Sequence, residues 1–394
     1  MMDRMSTQPG DPRATTTTEH PHALAEQAAE LAVPPTSGRP DLAFTSYLRI
    51  GAIVSVVLIH VAGLSYVADK DVTSVPRAFA SIFTYGTKWA VPVFVMVSGA
   101  LLLRPPRDPR PSTFYRRRLA KIGVPLVVWH VVYIAIFAVI LTELAWRPTV
   151  GRFLKGQSFT ALYFFWLILG LYLITPLLWP VVQSLSRRVL LVVAVALTAL
   201  PPVDLVSRRV IVELGIRVSG SDLTLVTQFL PYVGFYVLGY ALRDLVLRGA
   251  AKVLVMVGTA LLCLELVVQA AFLPAVGGHL NGYLQALSPV SYQGPLLGLC
   301  AVGVFLSAHA VVAPGSRWAT EPWAGRARTL GDLTFGVFCV HQVLSFAYSR
   351  LTGHRTFYGE PTIPGIVVQN LLVIVGSFLL TAMLVRVPVL RRIV

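Results

Sequence analysis

From Asp41 to the C-terminus, apolar runs of about 17 to 25 residues follow one another, each long enough to cross roughly 30 Å of hydrocarbon as a helix. A chain patterned in this way has to pair its backbone polar groups within helices, because the bilayer core holds no water to do it. Composition agrees with that reading. Of the 394 residues 55% are hydrophobic and 13% charged, and mean hydropathy is +0.71, whereas soluble domains carry about 25% charged residues. The expected fold class is therefore all-α integral membrane, a bundle of about ten transmembrane helices.

The expected spans are 42–66, 87–103, 122–145, 161–181, 189–203, 226–247, 252–273, 293–313, 333–350 and 364–387. Pro201, Pro202, Pro274 and Pro314 follow apolar runs and are read as helix stops, while Pro92, Pro125 and Pro176 are read as kink positions. Residues 1–40 are rich in Pro, Thr and Ala and offer no sustained apolar face, so they are expected to form a disordered cytoplasmic tail ahead of a transmembrane domain at 41–394. The run beginning at Leu42 has no small-residue cleavage site behind it, which favours a first transmembrane helix over a cleaved signal peptide.

The formal net charge of +15 raises the question of nucleic acid. The arginines lie in short segments between apolar runs and form no continuous basic face, so a nucleic-acid partner is not expected. They follow the positive-inside pattern instead. Arg116, Arg117, Arg118 and Lys121 follow the second span, and Arg187, Arg188, Arg243, Arg248, Arg326 and Arg328 follow other even-numbered ones. That side is read as cytoplasmic, with both termini inside and the chain multi-pass in the cell membrane among its lipids. Cys263, Cys300 and Cys339 fall within spans and lack CxxC spacing, so neither a disulfide framework nor a structural metal is expected.

Charged and imidazole groups inside spans carry the functional signal. Arg49 and His60 are eleven residues apart, which at 100° per residue returns within about 20° of the starting direction and about 16 Å along the axis. Both then lie on one stripe. They are expected to face the bundle interior, against the plainer reading of a snorkelling arginine and a structural histidine. Glu265 and Gln269 share a face one turn apart, as a site carboxylate or as a structural pair. Ser98 beside Gly99 suits a polar contact or close helix packing, packing being preferred. His130 and His309 are read as interfacial, and Asp332 as a helix N-cap.

Arg49, ten intervening residues and His60 resemble the signature of the membrane-bound acyltransferase 3 family. The segments Pro92–Leu102, containing Ser98-Gly99, and Phe114–Pro125, containing the Arg116–Arg118 run, are similar to family motifs in the same order. So are Leu167–Pro176, Tyr232–Tyr240 and Leu330–His341, and the resemblance is nearest to the branch that O-acylates surface polysaccharides and small hydroxyl compounds without a fused esterase domain. Ala161, Tyr163 and Phe338 depart from that branch, which bears on acceptor choice.

The resemblance implies O-acyl transfer, O-acetyl in the first instance, from cytoplasmic acetyl-CoA or another acyl-CoA to a carbohydrate or small polar acceptor. His60 would be the base or acyl relay and Arg49 its donor-holding partner. Arg116, Arg117, Arg118 and Lys121 would bind CoA phosphates or serve only topology. His341, Glu265 and Ser98 are candidate substrate contacts, His341 equally well a satisfied interior histidine. Imidazole, with an ordinary pKa near 6.5, suits removal of a hydroxyl proton at neutral pH. A secondary transporter or flippase is the alternative, disfavoured by the absence of matched Gly/Pro-broken helices in the sequence.

Overall fold

Helices form wherever an apolar run lets the backbone pair with itself, and no β-strand occurs among the described residues. The computed structural model describes residues 42–106, 109–141, 162–217, 223–272, 282, 285–353 and 362–394. The tail expected at 1–40, Ala161 and Pro274 lie outside them.

The principal helices are α1 (Ala43–Ala68), α2 (Val75–Tyr85), α3 (Ala90–Leu102), α4 (Pro111–Leu141), α5 (Tyr163–Ser184) and α6 (Arg187–Glu213). They continue as α7 (Val233–Leu242), α8 (Gly249–Phe272), α9 (Pro295–Val311), α10 (Trp323–Leu351) and α11 (Ile363–Leu384). Among the described residues eight segments are long and apolar enough to cross a membrane, α2 and α3 together making one of them, Val75–Leu102. Leu230–Leu242 and Pro295–Val311 are apolar but shorter. The expected spans 226–247 and 293–313 are thus only partly helical: a 3₁₀ turn at Leu230–Tyr232 precedes α7, and Pro295 starts α9.

Two local readings are corrected. Pro201 and Pro202 do not stop a helix, since α6 runs through both to Glu213 and replaces the short fifth span with 27 residues. Asp332 is no N-cap; α10 starts at Trp323, so Asp332 is inside the helix. The second span, expected at 87–103, is helical as α3, and α2 before it was not among the expected spans. Residues Gly86–Trp89 form turns between α2 and α3, a discontinuity that no proline at that position signalled.

The core is organised around α1, which packs against α2, α3, α9, α10 and α11. Most of its apolar residues are buried, with Phe44, Ala52, Ile53, Val57, Val61 and Ala62 at 0% exposure, while Ile50, Val54 and Leu58 are half-buried. A helix apolar all round belongs in the centre of a bundle. Helices α3 and α7 approach backbone to backbone: a Cβ on Gly99 would lie 1.8 Å from the Tyr236 carbonyl oxygen, and one on Gly239 would lie 2.0 Å from that of Met96. Small residues permit such crossings where hydrophobic segregation between helices is weak. Side-chain donors tie the ends together, Trp179 Nε1 to Leu102 O (3.0 Å) and Trp129 Nε1 to Ile393 O (2.7 Å). Cys263 and Cys300, on α8 and α9, are free thiols with Sγ atoms 2.9 Å apart.

Candidate functional site

Arg49 and His60 of α1 both line one cavity of about 500 Å³. Along α1 the lining runs from Arg49 through Val56, Ile59, His60, Gly63 and Leu64 to Val67. Eighteen residues at 1.5 Å each make that about 27 Å, close to the hydrocarbon thickness. Phe94 and Ser98 of α3, Ile122 of α4, Phe164, Ile168 and Tyr172 of α5, and Thr334, Phe335 and Phe338 of α10 complete the wall. The volume is that of pockets that hold small molecules, and the apolar wall with few polar groups is the usual composition of such sites.

Arg49 stands at one end. Its Nη2 donates to Asp332 Oδ1 at 3.3 Å and to Ser46 Oγ at 3.5 Å, and its Nε is buried without a hydrogen-bond partner among the described residues. Asp332 is 75% exposed against 28% for Arg49, so the pair marks a rim where the guanidinium faces inward and the carboxylate outward. Gly331 leaves room for it: a Cβ there would lie 3.1 Å from Arg49 Nη2. The ion pair is the signal that sequence reading missed, because nothing in the spacing of 283 residues relates the two positions.

His60 lies about three turns further on, and beside it the structure brings His341 of α10, ring centroids 5.4 Å apart. His341 is 0% exposed. Its Nδ1 lies 2.7 Å from Phe338 O and 3.2 Å from Val337 O. Carbonyl oxygens only accept, so Nδ1 carries a proton and donates it. Nε2 of His341 is buried with no hydrogen-bond partner among the described residues. It therefore offers an acceptor lone pair whenever the ring is neutral.

The remaining candidates separate. Ser98 lines the cavity, and its hydroxyl donates to Phe94 O at 2.9 Å, while the close packing is made by Gly99. Of the basic cluster, now on the first turns of α4, Arg116, Arg117 and Lys121 are exposed. Arg118 alone of the four turns toward the cavity wall, its guanidinium carbon 5.5 Å from the centroid of Tyr172 and 5.6 Å from that of Phe114. Glu265 is exposed on α8, accepts from Gln269 Nε2 at 3.0 Å and is not among the cavity residues. His130 and His309 are buried within the bundle, His130 between Leu126 O and Trp166 Nε1 and His309 stacked 4.1 Å from Phe44.

Two cavity residues escaped the reading of sequence. Tyr163 appeared there only as a departure from a motif, yet its ring forms part of the wall near Tyr292, 6.5 Å between centroids. Lys88 was simply passed over. A lysine inside the second expected span was itself a signal, because an uncompensated cation at membrane depth is costly and marks function by default.

No curated protein and no solved structure matches the chain. The family model of the acyltransferase domain matches residues 42–385, a stretch that contains every helix lining the cavity. A polytopic bundle with an arginine and a histidine on one cavity-facing stripe of its first helix thus belongs to the acyltransferase 3 family, whose members are acyltransferases.

Proposed function

We propose that the protein is an integral membrane O-acyltransferase that moves an acyl group, acetyl in the first instance, from cytoplasmic acyl-CoA to a hydroxyl of a carbohydrate or small polar acceptor. The observation that carries this reading is that Arg49 and His60 line the same elongated cavity. In this reading the chain crosses the membrane ten times with both termini cytoplasmic, the two shorter apolar helices included, and the Arg49 rim faces the cytoplasm.

Each chain residue then has a task. Arg118, beside Tyr172, and Arg49 hold anionic or polar parts of the donor, arginine being suited to phosphate and carbonyl oxygens. His60 accepts the proton of the acceptor hydroxyl as that oxygen attacks the thioester carbonyl carbon. The carbon–sulfur bond breaks and the same proton passes to the departing thiolate, so the imidazole ends as it began. His341 is a positioning residue: its unpartnered Nε2 accepts an N–H from the neighbouring imidazole or a hydroxyl in transit. The apolar wall of Ile59, Phe94, Phe164 and Phe338 excludes water that would otherwise hydrolyse the thioester.

Purified protein supplied with labelled acetyl-CoA and a mixed hydroxyl acceptor pool tests this. Transfer is expected in the wild type and is expected to fall by roughly 10²-fold or more in His60→Ala, the scale of losing a general base; a variant as active as wild type removes His60 as the base. Labelled enzyme trapped without acceptor would replace direct transfer by an acyl-histidine relay.

The break at Gly86–Trp89 supports a transport reading as a second possibility, since discontinuous helices border the substrate sites of transporters. Accumulation of acceptor in proteoliposomes lacking any acyl donor would favour it.

A further inference from the structure

Between α2 and α3 the four residues Gly86 to Trp89 form tight turns inside a segment able to span the membrane, Gly86 N still donating to Ile82 O and Lys88 N to Tyr85 O. Here Lys88, the third of the four, lines the same cavity as His60. Its ammonium lies 4.2 Å from the ring centroid of Tyr85 and 5.6 Å from that of Tyr292, and no carboxylate among the described residues pairs with it. Arg49, the other cation of the cavity, has Asp332. Lys88 has only aromatic faces.

Its position along the cavity follows from its neighbours. Tyr85, on which the ammonium rests, packs against Tyr66 at 5.2 Å, and Tyr66 is six residues beyond His60 on the side away from Arg49. Thr87, the chain neighbour of Lys88, donates to Ser55 O at 3.3 Å, level with the stretch of α1 before His60, and from there the lysine side chain carries its charge toward the Tyr85–Tyr66 side, away from Arg49. A donor held at the Arg49 end leaves the Lys88 end for the acceptor. An uncharged acceptor would leave this ammonium uncompensated in apolar surroundings, whereas an anionic one would pair with it, and charge-assisted hydrogen bonds in a poorly hydrated site are strong. Tyr292, 5.6 Å from the ammonium, and Tyr163, 6.5 Å from Tyr292 between ring centroids, line the same cavity and supply aromatic surface for an acceptor.

We propose that the Lys88 end of the cavity is the acceptor subsite and that it selects hydroxyl acceptors carrying an anionic group, a carboxylate or a phosphate, held by the Lys88 ammonium beside Tyr292. This rests on the acyl-transfer reading for the direction in which donor and acceptor enter. The probes are methyl β-glucuronoside, glucose 6-phosphate and methyl β-glucoside, titrated calorimetrically into the purified full chain, with acetyl-CoA titrated in parallel. In the wild type at least one acidic sugar is expected to bind tenfold or more tightly than the neutral glucoside, and the two acidic probes distinguish carboxylate from phosphate. Lys88→Gln is expected to abolish that preference, Lys88→Arg to keep it, and all three proteins to bind acetyl-CoA alike. Three results overturn the proposal: acidic and neutral sugars binding equally or not at all in the wild type, a preference that survives in Lys88→Gln, or a loss of acetyl-CoA binding in that variant with sugar binding unchanged. The first comparison needs no variant to fold. His60-dependent acyl transfer is measured separately, so the acyl-transfer reading can stand when charge selection fails, and charge selection stays measurable if His60 proves dispensable.

Discussion

Arg49 and Asp332 form an ion pair whose two members have different work to do. The carboxylate is largely in solvent, and an exposed pair of this kind contributes about 0–1 kcal/mol. Asp332→Asn is therefore expected to leave thermal stability in detergent nearly unchanged, within about 1 kcal/mol of wild type. The guanidinium faces the cavity with an unpartnered Nε, so Arg49→Met is expected to lower kcat/KM for the acyl donor by roughly tenfold or more, the scale of one hydrogen bond to a charged group. Steady-state kinetics of the two variants beside their melting curves would separate the roles, and an Arg49→Met enzyme with wild-type donor kinetics would refute the assignment. His341 acts through its neighbour. His341→Asn is expected to reduce kcat by about 10- to 100-fold while the KM values for donor and acceptor move little, the signature of a group that orients and does not bind. A change confined to KM would instead make it a binding residue.

Among the elements, the α3–α7 crossing is the place where one added methyl has the largest consequence. At Gly99 and Gly239 a new Cβ meets backbone carbonyl oxygens at 1.8 and 2.0 Å, and backbone on both sides cannot step aside. Gly99→Ala is expected to cost about 1–3 kcal/mol through overpacking. Gly258 lies in α8 with nothing within 4 Å of an added Cβ, so Gly258→Ala is expected to stabilise by about 0.4–1 kcal/mol through the unfolded chain. Opposite shifts in melting temperature check both; a Gly99→Ala protein as stable as wild type would mean the helices separate freely. The start of α2 is capped more conventionally. Ser74 Oγ accepts from Arg77 N at 3.1 Å, and the Arg77 guanidinium reaches back to Tyr66 O and covers the Tyr66 ring at 4.0 Å. Ser74→Ala is expected to cost about 1 kcal/mol. In the same loop Asp71 is held below its ordinary pKa by the Thr73 hydroxyl and N–H, so what it contributes to loop order is present above the ordinary carboxylate range and fades as pH falls through its lowered value.

For the whole molecule, the proposed orientation rests on the distribution of charge. Single cysteines at Asp71 and at Arg117, in a background lacking the three native thiols, are expected to react with a membrane-impermeant maleimide from opposite sides, the Asp71 position from outside intact cells and the Arg117 position only after lysis. Labelling of both from one side would break the proposed topology. What the order of residues alone determined is the helical membrane character and the pairing of Arg49 with His60, because both depend on local properties, run length against bilayer thickness and the 3.6-residue period along one helix. Helix ends were less legible: α6 runs through Pro201 and Pro202, and α2 precedes the second expected span through turns at Gly86–Trp89, since neighbouring helices decide where a broken backbone bond can be tolerated. Only the tertiary structure decided that His341 stands beside His60, that Arg49 meets Asp332, that Glu265 stays outside the cavity and that Lys88 lines it. These are relations between helices distant in the chain, and no periodicity within one helix encodes which face of another it will meet.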